Sequence, residues 1–266
     1  MQKKCYVRIF LAALLIAGFC WLIWGNTTVG LTRYDLQEDR LPDAFDGCRI
    51  AHVSDLHNSK LWKQTIKRLK EAKPDLICIT GDLVDSRTPD LQIAFAFAEA
   101  AVQIAPCYYI TGNHEVRLEQ CDQLLAGLQE RGVTVLQDEA VLLEKGDQAI
   151  ALAGHQWGNT KRVGRITDFA GYRILLSHPP EAMDHYVAGG YDLVLSGHAH
   201  GGQFRLPILG GLYAPGQGFL PEYDSGIFSR RETDLVVSRG VGNSVFPIRF
   251  HNRPEVIVIT LHALEG

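Results

Sequence analysis

Five times in this chain an apolar run of strand length stops abruptly on aspartate, asparagine or histidine. Arg49–Ser54 ends at Asp55-Leu56-His57, and Asp75–Thr80 ends at Gly81-Asp82-Leu83-Val84-Asp85. Pro106–Thr111 ends at Gly112-Asn113-His114-Glu115, Tyr172–Ser177 at His178-Pro179-Pro180, and Tyr191–Ser196 at Gly197-His198-Ala199-His200-Gly201-Gly202. Short β-rich runs bounded in this way read as buried strands that deliver polar groups to a sheet edge. A single Gly-Asn is an ordinary turn signal. Five such ends in order demand a common edge.

Helical spacing fills the gaps. Leu61–Ala72 repeats Leu61, Ile66 and Leu69 behind a basic outer face, Asp90–Gln103 is rich in Ala and Phe, and Glu119–Arg131 is closed by Gly132. Further strands are expected at Val133–Leu136, Ala140–Glu144 and Ala149–Gly154, all three antiparallel with a turn at Gly146-Asp147, and then at Asp234–Ser238 and Glu255–Leu261. Strands alternating with helices predict an α/β (α+β) sandwich of two facing mixed β-sheets with helices outside. With 266 residues, 46% of them hydrophobic, the chain can bury the core of one domain, and a net charge of −4 offers nucleic acid no general attraction. The cysteines at 5, 20, 48, 78, 107 and 121 form no CxxC pair or cluster, and Cys78 and Cys107 read as buried, inert thiols.

The N-terminus stands apart. Lys3, Lys4 and Arg8 precede the uncharged run Ile9–Trp24, which Tyr6, Val7, Trp21 and Trp24 extend to both membrane interfaces. A cleavable signal peptide would want small residues where Phe19-Cys20-Trp21-Leu22-Ile23-Trp24 stands, and bulky Phe19 spoils Cys20 as a lipidation site. Residues 1–26 are therefore expected to be an uncleaved transmembrane signal anchor. The flanking basic residues put the N-terminus in the cytoplasm and the catalytic domain outside a cell membrane crossed once. Residues 27–47 read as a connector with a short extended piece at Val29–Leu36, and residues 48–266 as the catalytic domain.

The side chains at the strand ends are Asp55, His57, Asp82, Asn113, His114, His178, His198 and His200. Carboxylates, imidazoles and one amide oxygen form a mixed O/N ligand set. Such a set suits Mn²⁺, Fe or Zn²⁺ and argues against thiolate or all-oxygen Ca²⁺ sites. Eight donors exceed the needs of one metal, so two divalent ions with a bridging carboxylate are expected. Two ions about 3.5–4 Å apart can clamp the oxygens of a phosphate during in-line displacement.

Taken in order, Asp55-x-His57, Gly81-Asp82-x-x-Asp85, Gly112-Asn113-His114-Glu115, His178 and Gly197-His198-x-His200 resemble the five motifs of the calcineurin-like metallophosphoesterase superfamily. The resemblance runs from about residue 49 to residue 261. It implies a four-layer αββα sandwich and two metals, with Mn²⁺ the first expectation. It places Asp55, His57 and His200 on one metal, Asn113, His178 and His198 on the other, and Asp82 between them. A metal-bridging hydroxide would then attack phosphorus, while catalytic His114 holds a phosphoryl oxygen or protonates the leaving group. Asp85 and Glu115 are expected to orient His114 or loop backbone. More narrowly, the N-terminal anchor, Ser54–Ser59, Gly197–Gln203 and the tail Ser238–Gly242 with Pro247–Phe250 and Pro254-Glu255 resemble the membrane-associated YkuE/YaeI-type branch. Relatives of that branch include enzymes acting on the pyrophosphate of UDP-diacylglucosamine, a lipid precursor.

The resemblance thus implies a phosphoesterase acting on phosphodiester or pyrophosphate bonds. Its substrate would be membrane-associated or lipid-linked, its membrane contact the N-terminal helix, and no nucleic-acid or protein partner is expected. A broad nucleotide phosphodiesterase differs from this only in substrate, and a non-catalytic metal-binding scaffold is the alternative from another class. Asn58, Arg239 and Arg249 are candidate substrate contacts, with structural ion pairs the competing reading for the two arginines. His52 reads as a packed strand residue, and His155 as a loop residue or cleft lining. The apolar, Gly-rich stretch Leu206–Tyr213 reads either as a loop packed on the core or as a contact for lipid chains. The basic helix reads either as a solvated face or, with the wider stretch Phe204–Phe219, as a surface toward anionic lipid.

Overall fold

A computed structural model describes residues 2–158, 160–243 and 246–264. Its elements in chain order are α1 (Gln2–Thr27), β1 (Gly30–Glu38), β2 (Cys48–Val53), α2 (Trp62–Ala72), β3 (Leu76–Ile79), α3 (Leu91–Val102), β4 (Cys107–Tyr109), α4 (Cys121–Glu130) and β5 (Val133–Val135). There follow β6 (Glu139–Lys145), β7 (Gln148–His155), β8 (Arg173–Ser177), α5 (Met183–Gly189) and β9 (Leu193–Ser196). Two small ribbons, β10 (Arg205–Leu206) with β11 (Gly210–Gly211) and β12 (Tyr213–Ala214) with β13 (Gly218–Phe219), precede β14 (Gly226–Arg230), β15 (Thr233–Val237) and β16 (Glu255–Ala263).

The period-2 geometry of a strand explains the layering. Ala51 and Val53 of β2 and Ile77 and Ile79 of β3 pack with the apolar faces of α2, α3 and α4, whereas Ile50, Leu76 and Cys78 point the opposite way. There they meet Ile174, Leu176, Leu193, Leu195 and Val236 of the second sheet. The other face of that sheet, with Leu175, Val194, Leu235 and Val237, packs on Met183 and Tyr186 of α5. The result is helix, sheet, sheet, helix. In helix α2 the buried residues Thr65, Ile66, Leu69 and Ala72 form one stripe, and Lys73 ends the helix in the left-handed region before Pro74.

The first sheet runs β1-β16-β2-β3-β4-β5 and the second β14-β15-β9-β8-β7-β6. Both are mixed: β2 to β5 are mutually parallel, as are β7, β8, β9 and β15, while β16 is antiparallel to β2, β6 to β7, and β14 to β15. The strands that end in the five polar motifs are thus β2, β3 and β4 side by side in one sheet, and β8 and β9 side by side in the other.

The short extended piece expected at Val29–Leu36 overlaps β1, an edge strand that runs beside β16 in parallel from Gly30↔Glu255 to Glu38↔Ala263. One expectation changes. The three strands expected to be antiparallel are split: β5 joins β4 in the first sheet, and only β6 and β7 form a hairpin, in the second. Helix α1 is exposed through its apolar run, and its segment Tyr6–Thr27 is long and apolar enough to cross a membrane. The side chains of Lys3 and Lys4, on which the expected orientation rests, and that of Cys5 lie outside the described residues. The far end of α1 is fixed to the domain, where Arg249 N–H donates to Asn26 Oδ1 at 2.7 Å and Asn26 Nδ2 donates to the Arg249 carbonyl at 2.8 Å.

Candidate metal centre

Where β2, β3, β4, β8 and β9 end, the backbone turns sharply. Asp55, His57, Asp82, His198 and His200 all have positive φ, between 45° and 65°, a region that non-glycine residues rarely occupy. Such conformations persist only where the surroundings impose them, and they cluster at functional sites. The turns brace one another: Asp55 N–H donates to the Gly81 carbonyl, His57 N–H to the Asp82 carbonyl and His114 N–H to Asp82 Oδ1. No Cβ fits at Gly112, where it would run into the Asp82 carboxylate, or at Gly197, where it would run into Ser54 Oγ. The glycines in the motifs are therefore required by close approach.

Six of the seven expected metal-binding residues fall into two buried triples, Asp55/His57/His200 and Asp82/His178/His198. In the first, Asp55 Oδ1 lies 3.3 Å from His200 Nε2 and 3.8 Å from His57 Nε2, and the two imidazole nitrogens are 3.3 Å apart. In the second, Asp82 Oδ2 lies 3.3 Å from His178 Nε2. The same oxygen is 3.5 Å from His57 Nε2, so Asp82 stands between the triples. The seventh, Asn113, is buried beside them, and its Oδ1 has no hydrogen-bond partner. A buried amide oxygen without a partner is costly unless a cation or donor meets it.

The electrostatics favour positive charge. Burial works against ionising Asp55 and Asp82, yet the imidazoles of His200 beside the first and His178 beside the second hold both well below the ordinary carboxylate range. Burial likewise opposes a proton on His178, but the Asp82 carboxylate raises it to about 10. Burial pushes His198 and His200 down to about 3, so both imidazoles are neutral, whereas a metal at His178 would have to displace the proton that Asp82 favours there. His178 donates Nδ1–H to the Thr80 carbonyl at 2.6 Å, which frees Nε2 for the site and ties the two sheets together.

His114 behaves differently. Its Nδ1 accepts the Ser86 backbone N–H at 3.0 Å, which puts the proton of the neutral ring on Nε2. Asp85 Oδ1 is farther from that nitrogen, at 3.4 Å, and both Asp85 oxygens bond Arg87. In the third triple of potential ligands, His57/Asp85/His114, the His114 Nδ1 and the Asp85 carboxylate are therefore already engaged, while His57 Nδ1 has no partner. Burial lowers the pKa of His114. Glu115 accepts backbone N–H bonds from Asp82 and Gly112 at 2.8 Å each and from Val84 at 3.1 Å, so it holds the loops after β3 and β4 together.

The three candidate substrate contacts each have protein partners. Arg239 forms an ion pair with Glu255, and buried Arg249 donates to the carbonyls of Arg239 and Gly242 and to Asn243 Oδ1. The amide of Asn58 donates to the Thr88 carbonyl. His52 is buried against Thr80 Oγ1, and His155 bonds Asp138 at the end of β7. Sequence reasoning missed Ser86, and it missed Trp157, whose ring lies 5.6 Å from that of His178 and 5.1 Å from that of His198. Neither position carries a pattern that marks it in advance, since each depends on how a loop folds back.

Residues 48–202 match the family model described as calcineurin-like phosphoesterase. The chain is 30% identical over 250 residues to the uncharacterized metallophosphoesterase YkuE of Bacillus subtilis, covering 86% of this chain and 84% of that protein. It is 30% identical over 226 residues to phosphodiesterase YaeI of Escherichia coli, covering 80% and 82%. Among solved structures, TT1561 of Thermus thermophilus superposes with a TM-score of 0.52 at 12% identity, over 73% of this chain and 89% of that one, a likeness of fold.

Proposed function

The chain belongs to the calcineurin-like metallophosphoesterase family, and on that premise we propose that it hydrolyses phosphodiester or pyrophosphate bonds at a membrane, with Asp55, His57 and His200 holding one divalent ion, Asn113, His178 and His198 a second, and Asp82 both. The observation that carries the proposal is Asp82 Oδ2, within 3.5 Å of an imidazole nitrogen from each triple. The donor set fits two cations: four imidazoles, two carboxylates and one amide oxygen without a partner. Mn²⁺ is the proposed metal because the sequence resemblance implies it, and the mixed oxygen and imidazole donors would equally accept Fe or Zn²⁺.

Bound there, the ions would lower the pKa of a water molecule and neutralise charge on the phosphoryl oxygens. The remaining work falls to the chain. The ring of His114 lies 4.6 Å from that of His57 and is fixed by the Ser86 N–H at Nδ1, so its Nε2–H would hydrogen-bond a phosphoryl or leaving oxygen as the bond to phosphorus breaks. Trp157 covers the rings of His178 and His198 and limits their rotation. Glu115 fixes the spacing between Asp82 and the Asn113-His114 turn.

The E. coli relative's name, phosphodiesterase, supports a diester, and the candidate span Tyr6–Thr27 supports a substrate met at a bilayer. We place the N-terminus in the cytoplasm and the domain outside, in a chain that crosses once, from the basic residues before the span. The proposed substrate class is lipid-linked, with UDP-diacylglucosamine the member named by the sequence resemblance. The full chain in detergent, loaded with Mn²⁺, is expected to hydrolyse bis(p-nitrophenyl) phosphate and to prefer lipid-linked pyrophosphates in micelles to soluble nucleotides. Two bound ions with no turnover across a panel of metals and esters would instead mark a binding scaffold.

A further inference from the structure

Beside His200 the surface opens into a cavity of about 470 Å³ whose walls are largely apolar, including Phe204, Leu212, Tyr213, Phe219 and Phe246. The rings meet edge to face, Phe204 with Phe246 at 6.2 Å and Tyr213 with Phe219 at 5.4 Å, so they build walls and do not close over the opening. Phe219 is 83% exposed, Phe246 53%, and Ile208 and Leu209 stand out beside them. A patch of this kind on a protein surface usually marks an interaction site.

The position of the cavity identifies what reaches it. Trp21 of the membrane-crossing candidate lies 5.7 Å, ring to ring, from Phe250, and Trp24 stacks with Arg253 at 4.3 Å. Tryptophans near the end of an apolar span mark the membrane interface. Trp21 is six residues before the end of α1, about 9 Å along its axis. Phe250 therefore sits at the level of the lipid head groups. Phe250 is also the β-bridge partner of Phe204, with Arg205 N–H donating to the Phe250 carbonyl at 2.9 Å. The groove wall is thus one strand spacing, about 4.8 Å, from the residue that touches the anchor. Gln203 fixes the opposite rim by donating to the carbonyls of Phe246 and Ile248. One end of the groove lies beside the Phe250 contact with α1, and His200 lines it as well.

We propose that this groove receives a hydrocarbon chain of a bilayer-resident phosphoester while the phosphorus of the same molecule sits at the two triples. This rests on the phosphoesterase reading above and names the residues that would select a lipid over a soluble ester. The test uses the full chain in phosphatidylcholine nanodiscs with Mn²⁺ and compares dodecyl with ethyl p-nitrophenyl phosphate. Partition of the long ester into the disc raises its rate for any protein. The readout is therefore the dodecyl-to-ethyl ratio of kcat/KM in the wild type against Phe219→Ser/Phe246→Ser, two exposed positions where serine does not disturb the core. The wild-type ratio is expected to exceed that of the variant by about tenfold or more, since each buried methylene adds a few-fold. Equal ratios would overturn the groove while leaving the phosphoesterase reading intact. Failure of the wild type to cleave either ester would instead strike that reading. Photolabelling then still tests the groove: a dodecyl phosphate bearing a terminal diazirine is expected to label residues 204–219 or Phe246, and labelling confined to the α1 segment 6–27 would overturn it.

Discussion

Asn113 and His114 are adjacent in sequence but differ in what they lack. Asn113 Oδ1 has no hydrogen-bond partner, whereas His114 has its Nδ1 satisfied and its Nε2–H available. His114→Ala is expected to retain its metals while kcat on a poorly activated lipid ester falls by about 10²–10⁴-fold, the usual contribution of a proton-handling group. Metal loss in that variant would refute the division of labour. Glu115 offers a second separation, because removing its carboxylate orphans three buried N–H groups at about 1–3 kcal/mol each. Glu115→Ala should therefore lower Tm and metal content together, and a variant with unchanged Tm would contradict this bracing role. The ligand types were legible in the sequence because each followed an apolar run. The fate of Arg239 and Arg249 was not, since it depends on Glu255 and on carbonyls that the fold alone brings near.

At the scale of elements, α2, α3, α4 and the five motif strands were readable because their apolar positions repeat with a clear period. α5 has seven residues after a Pro-Pro turn, and β14 is a five-residue edge with little buried surface, so neither carries enough pattern to stand out. The edge strand β1 was legible as an extended piece but its pairing was not, because its partner β16 lies more than two hundred residues later in the chain. Its last residue, Glu38, makes a testable point. Burial, with Asp234 and Asp192 of the facing sheet also contributing, pushes its carboxyl up to about 7 from 4.5. The folded state then holds a proton that the unfolded chain has released, so stability falls as pH rises from about 4.5 to 7 and stays lower above. Glu38→Gln should remove that loss and be more stable than the wild type at pH 8 by about 1–2 kcal/mol, after allowing for partial solvation. The two proteins should converge near pH 4. Denaturant unfolding at both pH values checks this, and a variant less stable at pH 8 would contradict it.

For the whole molecule, neither sheet makes the centre alone. Asp55, His57, Asp82 and Asn113 come from the first sheet and His178, His198 and His200 from the second, and the His178–Thr80 bond locks the halves in register. The same edge lies next to the membrane-crossing candidate α1, through Asn26 and Trp21, so insertion of α1 into a bilayer would hold the centre close to the membrane surface. Asp82 is proposed to hold both ions at once. Electron paramagnetic resonance of the full chain titrated with Mn²⁺ addresses it directly, because ions about 3.5–4 Å apart are magnetically coupled. The wild type is expected to bind two Mn²⁺ with a coupled spectrum, and His178→Ala to give the six-line signal of an isolated ion. Two uncoupled ions, or saturation at one ion per wild-type chain, would contradict the shared centre.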